Sequence, residues 1–151
     1  MERQYLTKNV SETRRLGKVL AEEILKIKPK EHALVVSMVG ELGSGKTAFS
    51  QGFAMGLGVR QRTLSPTFII ARRYPIQTPR IFFKYFYHID CYRLKKADEI
   101  SATGFEDLVS RPENIVLIEW ADKIENNLPK SRLQIFFRHI DKNSRQIILK
   151  V

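Results

Sequence analysis

Gly40-Glu41-Leu42-Gly43-Ser44-Gly45-Lys46-Thr47 carries glycine at its first and sixth positions and then Lys and Thr, the P-loop pattern. Glycines at this spacing let successive backbone N–H groups turn inward without Cβ interference, making a concave nest for phosphate oxygens. A helix opening at Lys46 adds its positive end. Lys46 then reaches the β- and γ-phosphates of a nucleotide as a point charge, and the Thr47 hydroxyl coordinates Mg²⁺. A nucleoside triphosphate with Mg²⁺ is the expected ligand of this loop. The alternative is a structural glycine turn with a solvated lysine.

Such a loop needs a carboxylate from the end of a neighbouring strand to hold the metal, usually through water. Ile115-Val116-Leu117-Ile118-Glu119 offers Glu119, although four aliphatics before an acid also describe a plain core strand with a surface acid. Joined to the P-loop, Glu119 is the best Walker B candidate, and Trp120 beside it is either a core plug or a lid near the nucleotide. Alternation along a strand ending at Asp90 places His88, Asp90 and Tyr92 on one face, with Arg93 opposed. A free Asp titrates near about 3.9, too low for a good proton acceptor, so Asp90 is expected to orient water or assist the metal. An exposed strand end with a satisfied histidine is the plain alternative. Ser65-Pro66-Thr67 reads either as a turn or as a switch-like loop in which Thr67 senses the γ-phosphate.

These residues need a scaffold. Between Glu12 and Lys28, Leu16, Val19, Leu20, Ile24 and Ile27 recur at spacings of three and four, predicting a helix capped by Ser11 and ended by Pro29. Ala33 to Val39 reads as a buried strand entering the glycine loop, and Lys46 to Leu57 as the helix after it. Thr67 to Tyr74 and Ile81 to Asp90 predict two antiparallel strands around a turn with Pro75 and Pro79. A weaker helix over Asp98 to Leu108, interrupted by Gly104, precedes a buried strand at Asn114 to Trp120. Leu133 to Ile140 and Gln146 to Val151 predict a closing hairpin. The expected fold is α/β, a P-loop NTPase-like, mostly parallel sheet flanked by helices with an antiparallel β portion. Without a repeat or long linker, residues 1–151 are expected to form one P-loop domain.

Composition narrows the class. The chain has 151 residues, 43% hydrophobic and 28% charged, the profile of an ordinary soluble globular protein. Burial of roughly 68–70% of the unfolded surface makes staples unnecessary. Cys91 has no partner within the chain, which suggests a reducing compartment. No apolar run approaches the roughly 18 residues of a membrane span, so a cytoplasmic location is expected. The net charge of +10 makes polyanions plausible partners, although the basic residues are scattered and a solvated surface is the plain reading.

Taken in order, the Gly40 to Thr47 loop, Ser65-Pro66-Thr67, His88-Ile89-Asp90-Cys91-Tyr92-Arg93 and Leu117-Ile118-Glu119-Trp120 resemble the bacterial TsaE (YjeE) ATPases, from the first helix to about Pro129. The resemblance implies an ATPase, weak alone, that works with the partner proteins TsaB and TsaD. Together they form the threonylcarbamoyl modification on the adenosine next to the anticodon of tRNAs reading codons that start with adenine. It also implies phosphate binding by Glu41 to Lys46, Mg²⁺ held by Thr47 and Glu119, catalytic support from Asp90 and a place for Thr13 close to the adenine. Cys91, Ser44 and Glu41 depart from common family residues without removing a needed charge. The resemblance leaves the +10 balance open between direct tRNA contact and a basic host proteome. Two other readings compete: a small-molecule P-loop kinase, with Arg72, Arg73 and Arg80 as a lid, and a basic tRNA-binding module without turnover. A GTPase is disfavoured because Lys95-Lys96-Ala97-Asp98 lacks the Asn of a guanine-reading motif.

Overall fold

A computed structural model describes residues 1–60, 71–79 and 81–151. Among the described residues seven strands form one sheet: β1 (Glu2–Thr7), β2 (Leu34–Gly40), β3 (Ala71–Pro75), β4 (Tyr85–Asp90), β5 (Asn114–Glu119), β6 (Leu133–His139) and β7 (Arg145–Lys150). Their order is β1-β7-β6-β2-β5-β4-β3. The centre, β6-β2-β5-β4, is parallel, while β3 pairs with β4, and β7 with β6 and β1, in antiparallel fashion. The expected α/β fold with an antiparallel portion is therefore present.

β5 is buried at every position, as its aliphatic run requires of a strand covered on both faces. On one face, Val36, Met38, Ile115 and Leu117 pack against Ala21, Ile24, Phe49 and Phe53 of α1 (Val10–Ile24) and α2 (Lys46–Gly56). On the other, Val35, Val116 and Ile118 meet Ile100, Phe105 and Ile124. These come from α3 (Phe105–Ser110) and the 3-10 segments Ala97–Thr103 and Ala121–Asn127. Gly104, at φ 75°, separates the first 3-10 segment from α3, as its place in the sequence predicts.

α1 differs from expectation at both ends and on its face. Its cap is Asn9, not Ser11: Asn9 Oδ1 accepts from the Glu12 N–H at 2.9 Å, and Glu12 Oε2 reaches back to the Lys8 N–H at 2.7 Å, a reciprocal arrangement close to a capping box. The helix stops at Ile24, before Lys28, because Lys26 and Ile27 bond to the carbonyls three residues back, tightening the last turn. Val19 and Ile27 remain about half exposed, while the buried line is Thr13, Gly17, Ala21 and Ile24. That line is small because α2 lies close: a Cβ on Gly17 would sit 2.2 Å from the Phe49 carbonyl oxygen, and one on Gly52 1.8 Å from that of Arg14.

β1 had no sequence signal, since five of its six residues are not buried and, among the described residues, it is an edge strand paired only with β7. The strand expected at Thr67 to Tyr74 is described from Ala71 onward; Thr67, with Ser65 and Pro66, lies outside the described residues. The strand expected from Ile81 begins at Tyr85. Among the described residues no helix is long and apolar enough to cross a membrane.

Candidate active site

β2 ends at Gly40 and α2 begins at Lys46, so the loop joins the C-terminal end of a central strand to a helix N-terminus. Gly43 and Gly45 take φ of 74° and 103°, conformations that L side chains rarely adopt. The Ser44 N–H closes the turn onto the Glu41 carbonyl at 3.1 Å. No side chain caps α2 and its first turn holds no acid, so the helix presents its positive end to the loop.

Lys46 is 4% exposed. Its ammonium donates to the carbonyls of Gly40 and of Glu41 (2.8 Å) and to Ser44 Oγ (3.3 Å), and sits 4.0 Å from the centre of the Trp120 ring. Burial pushes its pKa down, and the carboxylates of Glu119, Asp122, Asp90 and Glu41 oppose that shift. A phosphate placed in the loop would meet a desolvated cation, where charge interactions are strongest.

The parallel register sets Asp90 beside Glu119 at the ends of β4 and β5, and Glu119 beside Met38 of β2. Both acids are buried, Asp90 at 7% and Glu119 at 3% exposure. Glu119 Oε1 accepts from Ser50 Oγ at 2.8 Å and from His88 Nε2 at 2.9 Å. A carboxylate only accepts, so Nε2 of His88 bears a proton, and its Nδ1 is buried without a partner among the described residues. Burial raises the Glu119 pKa, but the His88 hydrogen bond and charge, the Ser50 bond and the Lys46 charge outweigh it and hold the carboxyl below its ordinary value. Asp90 Oδ1 accepts the Tyr92 N–H at 2.9 Å, which turns the chain at the strand end.

A cleft of about 450 Å³ brings these groups together. It is lined by the loop and first turn from Leu42 to Ala48, by Asp90, Tyr92, Glu119 and Trp120 at the ends of β4 and β5, and by Val10, Arg14 and Gln51 of α1 and α2. Trp120, read from the sequence as a core plug or a lid near the nucleotide, is half-buried and lines the cleft. The residue has φ 56°, meets the Tyr92 ring at a tilt with ring centres 5.0 Å apart and covers Lys46. Thr47 is exposed in the same cleft. A hydroxyl and two carboxylates are the hard oxygen donors that Mg²⁺ takes alongside substrate phosphates and water, so these residues fit that ion.

Other sequence-predicted residues stand apart. Thr13 is 2% exposed, shares a 2.8 Å hydrogen bond with Thr7 and lies under Gly45, whose added Cβ would be 3.3 Å from the Thr13 methyl. It buttresses the loop from behind, while its helix neighbours Val10 and Arg14 line the cleft. Arg73 stacks over Tyr85 on the edge pair β3-β4, and Arg80, like Thr67, lies outside the described residues. Sequence reasoning missed Ser50, although it stands four residues after Lys46, and therefore on the same helix face. It also missed Arg14 and Gln51, joined at 3.3 Å, which no motif marks.

Comparison with known proteins agrees with this fold. A family profile described as threonylcarbamoyl adenosine biosynthesis protein TsaE matches residues 7–147. The chain is 35% identical to the tRNA threonylcarbamoyladenosine biosynthesis protein TsaE of Bacillus subtilis, over 95% of this chain and 82% of that one. It is 34% identical to the protein of the same name from Haemophilus influenzae, over 84% and 76%. A crystal structure of Bacillus subtilis YdiB superposes with a TM-score of 0.76 at 30% identity, covering 99% of this chain and 84% of the other.

Proposed function

The chain belongs to the TsaE family, and from that premise we propose that it is a Mg²⁺-dependent ATPase serving the threonylcarbamoyl modification of adenosine in tRNA. The observation that carries this reading is the convergence of Lys46, Thr47, Asp90 and Glu119 in one cleft at the C-terminal ends of parallel strands. Open α/β sheets bind their ligands at that end.

Phosphoryl transfer depends mainly on positioning and charge stabilisation, and the residues divide that work. The loop amides and the N-terminus of α2 receive the phosphates. Lys46, leaving its loop carbonyls, balances charge on the β- and γ-phosphates. Thr47 and Glu119 would hold Mg²⁺, with Glu119 aimed by His88 and Ser50. When bound, the ion neutralises charge on the leaving and transferred phosphates. Asp90 orients the attacking water, and Trp120 and Tyr92 wall the cleft from bulk solvent.

TsaB- and TsaD-like proteins are the proposed partners, and the ATPase is slow without them. Phosphate release should be measured for the chain alone, then with those proteins and tRNA. The reading expects a clear rise on addition. Equal rates would remove the partners from the account, and phosphate appearing on a small-molecule acceptor would replace hydrolysis with kinase chemistry.

A further inference from the structure

The β6-β7 hairpin reaches the phosphate loop from outside the motif. His139 and Arg145 are register partners at its tip, and each bonds a loop carbonyl. Arg145 Nη2 donates to the Gly43 carbonyl at 3.1 Å, and His139 Nε2 donates to that of Leu42 at 3.4 Å. The guanidinium is itself anchored, since its Nη1 bonds the carbonyls of Asp141 (2.9 Å), Lys142 (3.3 Å) and Ser144 (2.9 Å). Asp141 Oδ1 in turn accepts the N–H groups of Asn143 and Ser144 at 2.9 and 2.7 Å, fixing the shape of the turn.

A trans peptide points its C=O and N–H in opposite directions. Holding the Leu42 and Gly43 carbonyls on the hairpin side therefore turns the Gly43 and Ser44 N–H groups away from it. The Ser44 N–H closes the loop's own turn, and the Gly43 N–H is left to face a ligand. Loop amides arranged before binding need no ordering when phosphate arrives, which raises affinity.

We propose that Arg145, assisted by His139, is a positioning residue that pre-forms the phosphate loop from the outside, so that the hairpin turn sets nucleotide affinity. The proposal rests on the reading of the cleft as an ATP site. Arginine suits this task because its planar fork offers several donors in fixed directions, whereas lysine offers a point charge on a flexible stem.

The test is ATP·Mg²⁺ binding and steady-state hydrolysis by the full chain, wild type against Arg145→Ala and Arg145→Lys, with melting temperatures. Arg145→Ala should raise Kd and KM for ATP about tenfold and leave kcat within about twofold, with Arg145→Lys between it and wild type. An unchanged KM in Arg145→Ala overturns the proposal, as does a lowered melting temperature without a change in KM. If Arg145→Ala does not fold, Arg145→Lys decides, and a wild-type KM there overturns the proposal. A wild-type chain that binds no ATP would instead remove the proposed function, and this clamp with it.

Discussion

His88 and Glu119 are joined by a 2.9 Å hydrogen bond, Nε2 to Oε1, with each side chain 3% exposed. Because Ser50 also donates to Oε1, the carboxylate is held by one oxygen from the β4 side and from α2 at once. A buried acid anchored this way has one available direction, towards the cleft it lines.

Removing the charge alone is the informative change at this position. Glu119→Gln should lower kcat roughly a hundredfold while nucleotide affinity without Mg²⁺ stays near wild type. His88→Leu should raise the Mg²⁺ concentration for half-maximal rate about tenfold, and His88→Gln, which restores a donor near Nε2, should recover part of it. Magnesium titrations of hydrolysis measure both, and a wild-type Mg²⁺ requirement in His88→Leu would show that this bond does not aim the carboxylate.

Cys91 follows Asp90 and is fully buried. Burial, with the Asp90 charge next, pushes its thiol up from 9.0 to about 12. The reactive form of cysteine is the thiolate, so native protein at pH 8 should resist iodoacetamide and react fully once denatured. The sign for stability follows: the folded state keeps its proton longer, so this contribution is complete below pH 9.0 and is lost as pH rises towards 12. Alkylation of the native chain at the rate of a free thiol would contradict the burial.

Gly52→Ala separates helix propensity from packing. Alanine gains about 1 kcal/mol in a helix interior, but its Cβ would fall 1.8 Å from the Arg14 carbonyl oxygen, and overpacking against backbone costs about 1–3 kcal/mol or more. Net destabilisation is expected in urea unfolding. A variant as stable as wild type would mean that α1 and α2 have room to separate.

The sequence made the strand-loop-helix and the acid after the aliphatic run legible because both are local patterns. Gly40 to Thr47 and Ile115 to Glu119 each carry their own periodicity and punctuation. Contacts made across long stretches of chain left no such trace: Ser50 meets Glu119 across 69 positions and Arg145 meets Gly43 across 102. The α1 face was misjudged for a different reason. Hydrophobic spacing favoured Val19 and Ile27, whereas close approach to α2 selected Gly17 and Ala21, whose small size carries little weight in a search for apolar residues. The Thr13 side chain supports Gly45 from behind while its neighbours Val10 and Arg14 meet the cleft, a placement the sequence left open.

The most direct test of the central claim is the affinity of the chain for ATP·Mg²⁺ by calorimetry, wild type against Lys46→Ala. Lys46 is the buried cation closest to the loop carbonyls and lies within the cleft. The account predicts measurable binding by wild type and a loss of about a hundredfold or more in the variant, as expected when a desolvated charge pair is removed. Equal affinity in the two proteins, with the variant folded, would contradict it.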